Sequence, residues 1–136
     1  MTPLQSLLNK CQKIFNEYIR LRDLNGTDYF KCISCGQIKD KHSLHAGHYY
    51  NVGHFDGLRL DEDNCHGQCD RCNTFLHGNL IEYSKNLPLK IGEERFKLLE
   101  VKAGVYKRTG NKWSRFDIQY RIKELKQKIK ELKFVC

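Results

Sequence analysis

No run of eighteen apolar residues occurs in these 136 residues, and no basic-then-apolar segment opens them. Neither a membrane span nor secretion is indicated, and an intracellular protein is expected. Internal repeats and low-complexity tracts are also missing, which leaves one modest domain with an extension. An even cysteine count is lacking: there are seven. In a reducing compartment, paired Cys-x-x-Cys clips bind metal more often than they form disulfides. Acidic residues are scarce at one end only. Residues 97–136 hold 12 Lys and Arg against 4 Asp and Glu, whereas residues 1–96 hold 12 against 12, so the whole +8 excess lies in the last 40 residues. Lopsided basic charge fits a polyanion partner, most often nucleic acid, through counterion release. The plain alternative is a solvated helix face.

What is present centres on two clips, Cys32/Cys35 in KCISCG and Cys69/Cys72 in QCDRCN. Four thiols in two short clips have the ligand count of a closed, structural zinc site. Cys11, Cys65 and Cys136 lie outside it and read as buried or idle thiols. Ahead of the clips, Thr2-Pro3 opens an amphipathic helix that Asn25-Gly26 closes. Tyr29 to Ser34 leads into the first clip. Leu44 to Tyr50 reads as a strand, with Leu58-Arg59-Leu60 as its partner across a glycine-containing loop. A helix is expected from about Cys72 until Pro88 stops it, and another over Glu93 to Ala103, ended by Gly104. GVYKRTGNKW then reads as a loop, with Tyr106 and Trp113 available for packing or base contacts and packing favoured for Trp113. Ser114 caps the last helix. Its Ile118, Ile122, Leu125, Ile129 and Leu132 form a short seam that packs on the first helix or on a twin in a dimer. The expected divisions are 1–28, an amino-terminal helix; 29–87, the zinc-bound core; and 88–136, a basic helical extension.

Metal-assisted phosphodiester hydrolysis needs a general base, a divalent cation on the phosphate and rigid ligands for that cation. His48, late in the strand, is the candidate base. Asn64, five residues before Cys69, is placed to orient it. Asn73 directly follows the last thiol, and His77 stands four residues on, an i, i+4 pair able to grip a metal; an N-cap is the plain reading of Asn73.

These residues resemble a family. The combination C-I-S-C-G, A-G-H-Y, L-R-L-D-E-D-N-C-H-G-Q-C-D-R-C-N and G-N-L is similar to the NinG (Rap) recombination endonucleases of lambdoid phages, within the zinc-bound ββα-metal, or HNH, endonucleases. The resemblance covers roughly residues 10 to 132. It implies an α+β fold, a zinc-stapled, treble-clef ββα-metal core with flanking amino- and carboxy-terminal helices. It implies a phage- or prophage-encoded protein of the bacterial host cytoplasm that cleaves branched DNA, Holliday junctions and displacement loops, with Mg2+ or Mn2+. Carried over, Cys32, Cys35, Cys69 and Cys72 hold Zn2+, His48 is the base, Asn64 orients it and Asn73 ligates the catalytic metal. The chain departs from the pattern where many such enzymes carry Asp or His directly before the base, because Gly47 stands there. Three residues before the base, where relatives can carry Asp, it has His45. A bulge at Gly47 would bring His45 and His48 together, making His45 a second metal ligand. His66 fits the motif as a phosphate contact or a buried hydrogen bond; His42 and His54 read as surface residues.

Arg59, Lys107, Arg108, Lys112 and Arg115, with His66, are the candidate DNA contacts. No recognition helix or base-reading arginine set is evident, so selectivity is expected to come from junction shape. Two symmetric cuts would need two active sites, which favours a homodimer. Three rivals stand beside this reading: a non-catalytic zinc module that binds nucleic acid, a general HNH nicking endonuclease, and a zinc-stapled protein interaction domain.

Overall fold

The computed structural model describes residues 1–110 and 112–135. Asn111, in the expected loop, and Cys136 lie outside the described residues. The first helix, α1 (Pro3–Leu24), begins where Thr2, in extended conformation, accepts the Gln5 N–H on its hydroxyl at 3.1 Å. That bond satisfies a backbone donor the first turn cannot. The end is closed by Asn25 itself in the left-handed region (φ 49°), followed by Gly26 (φ 76°).

Leu8, Cys11, Phe15, Tyr18 and Ile19 line one stripe of α1, and all are buried. Two elements use that stripe. One is the last helix, α4 (Arg115–Val135), whose Ile118, Ile122, Leu125 and Ile129 complete the same core cluster. The four-three seam therefore packs on the first helix of its own chain. Ser114 caps α4 by accepting the Asp117 N–H at 3.0 Å, and Trp113 packs half-buried against this cluster, donating to the Asp56 carbonyl at 3.3 Å. The other element is a two-stranded sheet described below.

Around the first clip, β1 (Tyr29–Lys31) pairs antiparallel with β2 (Ile38–Asp40). Gly36, at φ 74°, turns the clip between them and donates to the Cys32 carbonyl at 2.9 Å. The second sheet differs from the sequence expectation. β3 (His45–His48) pairs with β4 (Cys65–Gln68), His45 opposite Gln68 and His48 opposite Cys65. The expected partner strand is absent: Leu58 ends a short 3-10 turn, Asp56–Leu58. Residues 58–60 are all buried, an alternation broken by Arg59 folding inward.

The expected helix from Cys72 is also broken. A single π-helical turn, Arg71–Phe75, is followed by His77, Gly78 and Asn79, all at positive φ, before α2 (Leu80–Ile91) starts. α2 runs through Pro88, across the expected division at residue 88, and Gly92 ends it. A proline inside a helix costs about 3 kcal/mol. Leu87 and Ile91, either side of it, are buried in a second cluster with Tyr83, Leu58, Leu99 and Ala103. Each such side chain gains about 1.5–3 kcal/mol by burial, which offsets the loss. α3 (Glu93–Thr109) likewise continues through Gly104, so most of the expected loop is helix. Here Tyr106 lies against Gly57, where a Cβ would come within 2.4 Å of the ring. The architecture is thus mixed α+β: four helices and two small sheets among the described residues. None of the helices is long and apolar enough to cross a membrane.

Gly57→Ala is expected to destabilise the fold by about 1–3 kcal/mol through collision with Tyr106. In chemical denaturation the double variant Gly57→Ala/Tyr106→Ala should cost less than the sum of the two single changes.

Candidate metal centre and the strand beside it

Two hairpin-like clips bring Cys32, Cys35, Cys69 and Cys72 together, with all four sulfur atoms within 4.8 Å of one another and Cys35 Sγ 3.9 Å from Cys69 Sγ. Tetrahedral zinc, with Zn–S near 2.3 Å, sets sulfur atoms about 3.8 Å apart. The set is therefore compatible with zinc. Polar donors already face the sulfurs: the Cys69 N–H points to Cys32 Sγ at 3.4 Å and the Asn79 amide to Cys72 Sγ at 3.5 Å. Burial opposes a charge on Cys32, yet backbone N–H groups of Cys69, Cys35 and Ser34 bring its pKa down. Such donors orient thiolates and favour the charged form that ligates.

The cluster fixes β4, and β4 fixes β3. Register runs unbroken from His45 to His48, so the bulge expected at Gly47 is not formed. The two imidazoles consequently lie on opposite faces of the strand. At Gly47, where many enzymes of the resembled type carry Asp or His, a side chain has no room while Gln68 keeps its present position. A Cβ there would sit 1.8 Å from Oε1 of Gln68, a fully buried side chain. Gln68 is held by donating to Ser34 Oγ at 2.8 Å and the Gly78 carbonyl at 2.6 Å, while its Oε1 has no partner among the described residues. Tyr83, itself fully buried, donates its hydroxyl to the Gly47 carbonyl at 2.7 Å.

His48 faces α1, half-buried and stacked on Phe15 with ring centroids 6.1 Å apart. Its Nε2–H donates to the Arg59 carbonyl at 3.0 Å, since a carbonyl can only accept. Nδ1 is thereby left as the basic nitrogen, 3.9 Å from Cys65 Sγ. Burial lowers the His48 pKa below the ordinary value, although the Arg59 carbonyl bond works the other way. The ring is neutral near physiological pH, as a base must be.

Asn64 does not touch that ring. Its Oδ1 accepts the Tyr50 N–H at 2.8 Å, and its amide donates to the carbonyls of Tyr50 and Leu58 at 3.0 and 3.2 Å. It braces the loop after β3, and the Arg59 carbonyl orients His48. On the opposite face, His45 Nε2 contacts the Asp70 carboxylate. Asp70 was not anticipated. It lies inside the second clip, two residues beyond Gln68, the partner of His45 in the sheet. Asn73 follows three residues on, half-buried, its N–H bonded to the Cys69 carbonyl at 2.9 Å. His77 is exposed at φ 50° beyond the π-helical turn, so it does not share a helical face with Asn73.

Two expected DNA contacts are instead internal. His66 is 1% exposed; its Nε2–H donates to the Asp63 carbonyl at 2.9 Å, and Nδ1 accepts from Arg22 at 3.1 Å. Burial, with Lys90 and Arg22 nearby, lowers its pKa to about 3. It takes the buried hydrogen bond and leaves no surface for phosphate. Arg59 is buried, its guanidinium donating to Gln12 Oε1 at 2.8 Å and Asp56 Oδ1 at 2.9 Å. Lys107 and Arg108 in the last turn of α3, Lys112, and Arg115 at the start of α4 are exposed. His42 and His54 are exposed as well.

The family model for the Bacteriophage Lambda NinG protein matches residues 1–134. The chain belongs to the NinG family. It is 30% identical to "Protein ninG" of Escherichia phage lambda and 32% identical to that of Salmonella phage P22. Each match spans 133 residues, 98% of this chain and 60% and 61% of the relative. "Protein ninG" of Escherichia phage 933W is 36% identical over 94 residues, 69% of this chain and 44% of the relative. The chain thus spans about three fifths or less of the length of these curated relatives. No solved structure matches it. The two thiol clips, β3 and β4 all lie within the part that the NinG model covers.

Two outcomes follow. The purified chain should carry one zinc per molecule by atomic emission, and a strong chelator should release it together with loss of the thermal unfolding transition. Gly47→Asp should lower stability by about 1–3 kcal/mol from overpacking against Gln68, with part of the loss recovered in Gly47→Asp/Gln68→Ala.

Proposed function

We propose that this NinG-family chain is a structure-selective, metal-dependent endonuclease acting on branched DNA. One observation carries the reading: the thiol cluster pins an imidazole–carboxylate pair, His45–Asp70, to the same short stretch as Asn73. The carboxylate and the amide oxygen are ligands that suit Mg2+ or Mn2+, an imidazole can join them on Mn2+, and the four thiols suit zinc. When bound, such a cation would neutralise charge on the scissile phosphate and the leaving 3′ oxygen. A zinc-bound treble-clef, ββα-metal arrangement is the fold reading that accompanies this proposal.

His48 supplies the base. The Arg59 carbonyl fixes its tautomer, so Nδ1 takes the proton from the attacking water. Among the described residues β3 pairs with β4 alone, and a phosphodiester lying across its other edge is the arrangement that gives both faces a role. Lys107, Arg108, Lys112 and Arg115 grip backbone phosphate, and two copies of the chain make the paired cuts of a four-way junction. His77 is exposed close by and remains a second-choice ligand.

A non-catalytic zinc module that binds DNA is the second reading. It is favoured by a specific observation: His48 Nδ1 faces the Cys65 thiol, and its ring is separated from His45 by the strand.

The deciding experiment compares a four-way junction with a linear duplex of the same arm sequences, in Mg2+ or Mn2+. Wild type is expected to cut the junction, and His48→Ala to slow cutting by about 10²–10⁴-fold, the range for a lost general base. His45→Ala and Asp70→Asn should raise the metal concentration needed. Because the His48 pKa lies below 6.5 and the base acts unprotonated, the rate should rise with pH and reach half its plateau below pH 6.5. Tight junction binding with no cleavage in either metal would favour the non-catalytic module.

A further inference from the structure

Between the second clip and α2 the chain makes a turn whose apolar side chains belong to none of the three core clusters. Phe75 and Ile81, at its two ends, are each 74% exposed, and Leu76 and Leu80 are 42% and 46% exposed. An apolar turn of this kind is normally floppy or folded under. This one is held. Gly78 N–H donates to the Cys72 carbonyl at 2.7 Å, and the Gly78 carbonyl accepts from Gln68 at 2.6 Å and Ser34 Oγ at 3.1 Å. Three consecutive residues, His77, Gly78 and Asn79, take left-handed backbone (φ 50°, 95° and 44°). For residues other than glycine that conformation costs about 1–3 kcal/mol each and persists only where surroundings impose it.

The position and charge of the turn indicate what it meets. It begins two residues after Asn73, so it borders the proposed cation site. Exposed Arg71 precedes it and forms no ion pair among the described residues, exposed His77 lies within it, and Glu82 at its far end is neutralised by Lys85 at 3.1 Å. One uncompensated cation beside exposed apolar side chains suits a partner that is anionic outside and flat and apolar within, which is nucleic acid with unstacked bases. A second copy of the chain fits less well. Four partly exposed side chains fall short of the about 800 Å² that each partner of a stable dimer buries.

We propose that Phe75, with Ile81, forms a wedge that stacks on base faces exposed at a DNA branch point. Intact duplex covers both faces of every base pair, whereas at a crossover a neighbour is lost, and apolar side chains exploit such steps. Rigid presentation means that little ordering is needed on binding. This inference rests on the proposed function, since it names the feature by which the substrate is chosen.

The test separates the two. Binding is measured with Ca2+ in place of Mg2+, using a four-way junction and a linear duplex of the same arms, each with 2-aminopurine beside the branch position. Phe75→Ala should weaken junction binding about tenfold, within the range for one lost base–aromatic stack. Duplex binding should be unchanged. Phe75→Trp should restore the preference, and wild type and Phe75→Trp, but not Phe75→Ala, should alter the 2-aminopurine fluorescence. A Phe75→Ala protein that keeps its junction preference overturns the wedge, as does one whose sedimentation shows that the turn had joined two copies. Loss of all DNA binding by wild type overturns both proposals. A junction preference lost in Phe75→Ala, with no cutting by wild type in Mg2+, upholds the wedge and removes only catalysis.

Discussion

Four sulfur atoms converging on one point are what the rest of this molecule depends on. The strands here are three or four residues long and the sheets have two strands each, a size that is marginal in water. Bound metal converts thiolate affinity into folding free energy, which short strands cannot supply. The convergence also fixes what lies next to what. Ile33, inside the first clip, donates its N–H to the Gly67 carbonyl of β4 at 3.0 Å, so the two sheets meet at the cluster. β4 then sets β3, and β3 sets both candidate imidazoles.

A second constraint ties the helices to that centre. Asp23, at the end of α1, accepts from Arg22, from Lys90 of α2 at 2.9 Å and from the Gly67 N–H at 2.7 Å. Burial works to raise its pKa, and the Arg22 and Lys90 cations bring it down to about 2. Arg22 spans further, to the carbonyls of Glu62 and Cys65 at 3.0 and 2.8 Å. A buried charge network of this kind is strongly destabilising to break, because each remaining charge would be left without its partner. It makes α1 part of the core that carries β4. Much of the positive charge seen in the sequence is spent similarly: Lys128 and Arg121 of α4 pair with Glu62.

How much was legible in the sequence depended on the range of the interaction. Local chemistry read true: the Thr2 cap, the Ser114 cap, the two clips and the apolar stripes of α1 and α4 all rest on neighbours within a turn or two. Decisions made at longer range did not show. Residues 58–60 have the alternation of a strand, but Asn64 and the second clip deliver residues 65–68 to β3 instead. Pro88 and Gly104 are helix breakers by propensity, and burial of Leu87, Ile91, Ala103 and Tyr106 outweighs that. Arg59 and His66 belong to residue types that usually contact phosphate, and both are consumed inside. Asp70 was hidden in plain view, because a residue between two thiols draws no notice until the clip closes.

Gln68 also carries a consequence for how the family can diverge. Its side chain occupies the space a Cβ at position 47 would need, so the two positions form one unit of inheritance. An acidic group introduced beside His48 would require the residue 68 side chain to be shortened or turned aside, which would also give up its bonds to Ser34 and the Gly78 carbonyl.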